Sequence, residues 1–234
     1  IASELELWDE LTTILMESAV AAKSDERRIE LWMQAAAVAL DEGSDPDGGE
    51  QTLRLILEVN HRHEGALNQL DRIMSASERW EELEPLLIRQ TESVAYDEER
   101  CVIFMRLGEL YRDRLGRSED ARATFEQLLN LQDNHRPALL ALETLLRDAR
   151  DFDALYETLE RLAETAESRS QRAAVLTEMA ELSERELRDE SRAISLWQES
   201  LELEPNQAKA LTDLQRVSEL LGDWEGVLTA LQQE

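Results

Sequence analysis

Apolar side chains recur every three or four residues along almost the whole chain, in stretches broken by short polar turns. That period is the signature of amphipathic helices. Leu5, Trp8, Leu11, Leu15 and Ala19 mark one stripe, which predicts a helix over residues 3–22. Ser24 or Asp25 is placed to cap the next, over 26–41, whose stripe runs through Ile29, Trp32, Ala36 and Ala39. Residues 43–49 read as an irregular loop before a helix over about 50–60 with Leu53, Ile56 and Leu57. Ala66, Leu67, Leu70 and Met74 mark a further helix, and Ser77 is the expected cap of one led by Trp80, Leu83 and Leu87. Pro85 falls inside that pattern, where it removes a backbone donor and should kink the first turns. Helices are expected over 97–114, from Ser118, over 135–148, 152–164, 172–187, 191–203 and 207–221, and from Trp224 to the end. The count is about thirteen.

The stripes are themselves periodic. Trp8, Trp80, Phe152 and Trp224 stand 72 residues apart, as do Leu11, Leu83, Leu155 and Val227. Leu15, Leu87, Leu159 and Leu231 follow, then Ala66, Ala138 and Ala210. The series beginning at Leu57, Leu67 and Leu70 keep the same step, and Arg28, Arg100 and Arg172 add a polar one. Series that stay in phase over three periods define an array of repeats, here at about 8–79, 80–151 and 152–223 within one array over 1–234. Each unit divides again. Ala35, Leu70, Leu107, Leu142, Met179 and Leu214 hold one position, with gaps alternating between 35 and 37. The expected fold is therefore all-α: helix pairs stacked side by side, each completing its neighbour's core. The unmatched apolar sides of the first and last helices predict that the array continues on at least one side.

These half-units resemble tetratricopeptide (TPR) repeats. Phe104, Leu107, Gly108 and Tyr111 follow the spacing of that family's first helix. The small residue and aromatic of its second helix have counterparts in Ala121 and Phe125, and again in Ala193 and Trp197. Pro205 stands where the family closes a repeat, and Gly222-Asp223-Trp224 matches its turn. The 35/37 alternation departs from the family's usual 34 residues, and Leu83 and Leu155 stand where a small residue is usual. The resemblance implies a right-handed α-solenoid superhelix of antiparallel helix pairs. It also implies a concave groove lined by the first helices. The groove positions would be Met33, Ala37, Asn68, Arg72, Met105, Glu109 and Arg112, then Leu140, Thr144, Arg147, Thr177, Glu181, Glu184 and Arg216. The family's two-carboxylate clamp is absent, because Met105, Leu140 and Thr177 occupy its positions.

Charge narrows the partner. Against 25 basic residues stand 52 acidic ones, a net charge of -27, which repels phosphate and anionic lipid. Nucleic acid is not an expected partner, and neither is membrane insertion, since no apolar run of about 18 residues exists. A protein or peptide segment that is basic or apolar is favoured. No Gly-rich phosphate loop, His-Glu-x-x-His or Cys-x-x-Cys occurs, so neither an enzyme nor a cofactor is expected. His61 and His63 could be read as metal ligands. Yet His135 repeats His63 and Gln207 takes the third copy, which marks a helix-start turn instead. Asp45-Pro46-Asp47-Gly48 has a faint calcium-loop look but lacks the third ligand and the distal Glu, so it reads as a turn instead. Cys101 stands alone and reads as a small buried hydrophobe. The function expected is a protein–protein interaction scaffold, in the cytoplasm. The alternatives are a passive spacer within a larger protein and an RNA-processing half-TPR module, which the charge opposes.

Overall fold

A computed structural model describes the chain over residues 2–42 and 45–222. The helix expected from Trp224, and Gly43 and Ser44 of the expected loop, lie outside these residues. Among the described residues there are twelve helices and no strand. They are α1 (Ala2–Val20), α2 (Asp25–Ala37), α3 (Pro46–Val59), α4 (Glu64–Ala76), α5 (Trp80–Ser93) and α6 (Asp97–Glu109). Then follow α7 (Ser118–Leu131), α8 (Arg136–Ala149), α9 (Phe152–Glu164), α10 (Arg169–Arg185), α11 (Glu190–Leu203) and α12 (Ala208–Leu221). Two compact units are present, residues 1–121 and 122–234, and the boundary falls inside α7. In the first unit each helix from α1 to α6 packs on the next, and in the second the same holds from α8 to α12. The short links force each neighbour to run back antiparallel.

The interior shows why the offset is 72. Leu53, Phe125 and Trp197 are one position in three copies, and each is fully buried. One turn earlier stand Gly49, Ala121 and Ala193, with both alanines fully buried. A Cβ on Gly49 would come within 2.7 Å of Leu40, so the first copy needs glycine, and the sequence reading had placed that glycine in a loop. Helix α3 in fact begins at Pro46, earlier than expected. Asp45 caps it by accepting from the Gly48 amide at 2.9 Å, and proline suits the first turn because its missing N–H would be unpaired there anyway. The small residues Ala36, Gly108 and Ala180, also 72 residues apart, are all buried. So is Cys101, whose thiol is pushed up by that burial.

Helix ends repeat as faithfully as cores. Ser24 caps α2 by accepting from the Arg27 amide at 3.3 Å. Ser77 does not cap α5. Its hydroxyl donates back to the Ile73 carbonyl at 2.5 Å, which makes it the C-cap of α4, and Arg79 precedes α5 without a side-chain cap. Ser118 opens α7 as its first residue. Helix α5 continues through Pro85. Helices α2 and α6 each finish in one π-helical turn, Val38–Glu42 and Leu110–Arg114, again 72 residues apart.

Left-handed residues follow these ends in register. Glu78, Arg150 and Gly222 have φ of 54°, 56° and 70°, and Gly116 and Arg188 have 64° and 55°. The amide of Arg79 bonds the Met74 carbonyl at 2.9 Å and that of Asp151 bonds Leu146 at 3.0 Å, the 6→1 bonds of a glycine-type helix stop. Two of the three copies hold that turn without glycine, at a steric cost of roughly 1–2 kcal/mol each, partly offset by the entropy a glycine would lose on folding. We expect Arg150→Gly and Arg188→Gly each to stabilise the protein by about 0.5–1 kcal/mol, read as a higher urea midpoint at unchanged slope. A lower midpoint for both would contradict the assigned turns.

Candidate functional site

The even-numbered helices carry the candidate residues, and each unit is described separately. In the first unit Asn68 and Arg72 are exposed on α4, and Met105 and Glu109 lie half-buried and exposed on α6. Arg112, half-buried in the turn after α6, is held by Asp113 at 2.7 and 2.9 Å. Between α4 and α6 lies an ion pair the sequence reading missed. Arg106 grips Asp71 with two hydrogen bonds of 2.6 and 2.7 Å, and Ser75 donates to the same carboxylate at 3.1 Å. Burial alone would raise the Asp71 carboxyl, but Arg106 outweighs it and holds the group below its ordinary value. Met33 and Ala37, on α2, are half-buried.

In the second unit Leu140 and Thr144 are exposed on α8. Arg147 bonds Glu143 at 2.8 Å and reaches across to Glu178 on α10. Glu184 receives Arg216 of α12 in a two-pronged pair at 2.6 and 2.9 Å, and Glu181 is joined to Lys209 of α12 and to Arg185 at 3.6 Å. Four of the expected groove residues thus tie one even helix to the next. Thr177 does not line this face at all. It is buried at 8% exposure, lies 2.9 Å from the Ser200 hydroxyl and donates to Gln207 at 3.0 Å. Three positions change together here: Thr177 replaces Met33 and Met105, Ser200 replaces Ile56 and Leu128, and Gln207, which makes no cap bond, replaces the histidine and donates its amide to Ser200. In the first two copies His63 and His135 accept the Ala66 and Ala138 amides through Nδ1, both at 3.2 Å, as expected of a helix-start turn. No cluster of three or more metal-ligating side chains occurs among the described residues.

Each unit also carries a cleft, and the two are copies of one another. The first, of about 270 Å³, has a floor of Trp80, Leu83 and Leu110. The second, of about 320 Å³, has Phe152, Leu155 and Leu182 at the equivalent positions. Ser75 and Glu109 line the first and Arg147 and Glu181 the second, each pair again 72 residues apart. The rims differ in sign. Arg106, Asp113 and Arg114 of the first become Glu178, Arg185 and Glu186 of the second. Arg114 lies over the Trp80 ring, 4.8 Å from its centre. The reversal is written in the sequence, at the 72-residue step applied to Arg106, Asp113 and Arg114.

The residues that carry the TPR pattern stand where that pattern needs them. Phe104, Leu107 and Gly108 are on α6, Tyr111 is in its final turn, and Ala121 and Phe125 are buried on α7. The repeat hairpins resemble those of tetratricopeptide proteins.

No family model matches the chain, and no curated protein matches it. Solved structures with a similar arrangement of helices include YrrB, a TPR protein with an unusual peptide-binding site. It is 12% identical, over 81% of this chain and 97% of its own, with a TM-score of 0.46. PilF of Pseudomonas aeruginosa is 19% identical, over 87% of this chain and 96% of its own, at 0.43. The C-terminal part of a TPR repeat-containing protein from Cytophaga hutchinsonii is 17% identical, over 91% and 94%, at 0.48.

Acid should loosen the Asp71–Arg106 pair and the pairs that Arg54 and Arg79 make with Glu50 and Glu82. Hydrogen bonds from Arg79 and Arg54 lower Glu82 to about 2, and Glu50, bonded by Arg79, is also lowered from its usual 4.5. A carboxylate depressed in the folded state adds stability above its unfolded value and loses it as pH falls through the folded one. The unfolding temperature should therefore decline from about pH 4.5 toward about 2, and Glu82→Gln with Asp71→Asn should flatten that decline. Equal slopes in the wild type and the double variant would count against it.

Proposed function

We propose that the protein is an interaction scaffold that holds a segment of a partner protein against the face of its even-numbered helices. The observation that carries this reading is the recurrence of one open cleft, with an apolar floor and a charged rim, at equivalent positions of both units. Exposed Leu140, at 44%, and Thr144 beside it leave an uncharged strip along α8 for a segment to lie on. The net charge of -27 favours a basic or apolar segment and speeds its encounter. No helix among the described residues is long and apolar enough to cross a membrane.

A spacer role is the second reading. It draws support from the ladder of pairs Arg147–Glu178, Glu181–Lys209 and Glu184–Arg216, which stiffens the face using the very charges a partner would need.

An array of short basic, apolar and acidic peptides separates the two. The scaffold reading expects the basic or apolar set to be retained and Leu140→Glu to weaken retention by about tenfold or more, a loss of roughly 1.4 kcal/mol or more. Glu202→Lys, exposed on the odd helix α11, should leave it unchanged. Equal retention by the wild type and Leu140→Glu would remove this face from consideration and leave the spacer.

A further inference from the structure

The two clefts are a comparison the protein makes with itself. In the first, the aromatic floor is already covered by a cation, because Arg114 reaches from the end of α6 to lie over Trp80. In the second, the same position, just past the end of α10, is Glu186 and the aromatic is Phe152. A carboxylate cannot take up the stacked position that the guanidinium holds, since the ring face repels negative charge. Phe152, half-buried as Trp80 is, has a carboxylate lining its cleft in place of the stacked guanidinium.

We propose that the second cleft binds an arginine or lysine side chain of a partner protein, which occupies over Phe152 the place that Arg114 fills over Trp80. The first cleft holds the chemical equivalent of the second one's ligand. The stem of the incoming side chain lies on Phe152, Leu155 and Leu182, and its charged head meets Glu186.

The other charges lining the cleft are consistent with a cation. Arg147 is neutralised by Glu143 and Glu178, and Arg185 reaches Glu181 at 3.6 Å. Arg150 stands on the left-handed turn at the cleft mouth and is exposed. Glu186 forms no ion pair among the described residues, so its charge is available. Glu178 and Glu181 are engaged by Arg147 and by Lys209 and Arg185, which leaves Glu186 as the carboxylate free to meet an incoming cation. The inference deepens the scaffold reading and rests on it.

The test uses the whole chain with labelled leucine methyl groups and three small probes: N-acetyl-arginine amide, N-acetyl-norleucine amide and N-acetyl-glutamate amide. In the wild type the arginine probe should shift the Leu155 and Leu182 methyl signals and leave Leu83 and Leu110 in place. Glu186→Gln, a substitution of equal size, should weaken that binding by about three- to tenfold. Glu186→Arg should abolish it by supplying an internal cation. Arg114→Glu should bring Leu83 and Leu110 into the response by vacating Trp80. The proposal is overturned if Leu155 and Leu182 ignore the arginine probe, if the norleucine or glutamate probe shifts them equally, or if Glu186→Gln binds as the wild type does. Peptide retention that survives such an outcome and is still lost in Leu140→Glu would leave the scaffold reading standing without this site.

Discussion

Everything in this chain depends on the close approach of one helix to the next at a small side chain. A helix pair has two apolar sides and can cover only one of them by itself. The second side is buried by the following pair, so folding energy accumulates between neighbours. Gly49, Ala121 and Ala193 mark this approach, and Leu53, Phe125 and Trp197 fill the space beside it. The sizes vary together. The smallest large residue, Leu53, accompanies glycine, and Phe125 and Trp197 accompany alanine. The helix spacing is thus set locally, copy by copy, while the 72-residue register is kept.

Charge follows the same register with its sign reversed. Glu50 binds Arg54 at 2.8 Å and Arg79 at 2.6 Å. One period on, Arg122 binds Glu126 at 2.9 Å and Asp151 at 2.7 Å. Glu50, Arg54 and Arg79 have all exchanged sign and the contacts among them survive, whereas Glu82, which Arg54 and Arg79 also bind, becomes Ala154 and its contacts are lost. In the third copy the central position is Ile194, 8% exposed, and the network is replaced by packing. An exposed ion pair contributes little to stability in either polarity, so exchange costs little as long as both partners change. The surface can therefore alter its electrostatic pattern while the core is held fixed, and the two clefts differ in just this respect.

The apolar core was the most legible part of the sequence. Phe152 to Glu164 was placed at both ends, and so were the end of α11 at Leu203 and that of α12 at Leu221. Helix starts were harder, because a cap depends on which of several polar residues reaches a free amide. Ser77 looked like a start and is a stop, and Pro46 looked like loop and is the first residue of α3. The candidate face was legible as positions on helices and not as chemistry. Thr177 sits at a register that is half-buried in the other copies, and two substitutions in its neighbourhood, Ser200 and Gln207, gave it interior partners. Arg147, Glu181, Glu184 and Arg216 were found as residues, but their use in joining helices needs the distances between them.

Native-state hydrogen exchange on Trp197→Ala tests most directly whether stability is held between neighbours. Trp197 is fully buried in α11, which packs on α10 and α12, and removing a buried Trp of this kind costs about 3–5 kcal/mol. The account predicts that protection falls by that amount in α10, α11 and α12 and stays at its wild-type level in α2 to α5. An equal fall in every helix would show a single cooperative core and contradict it.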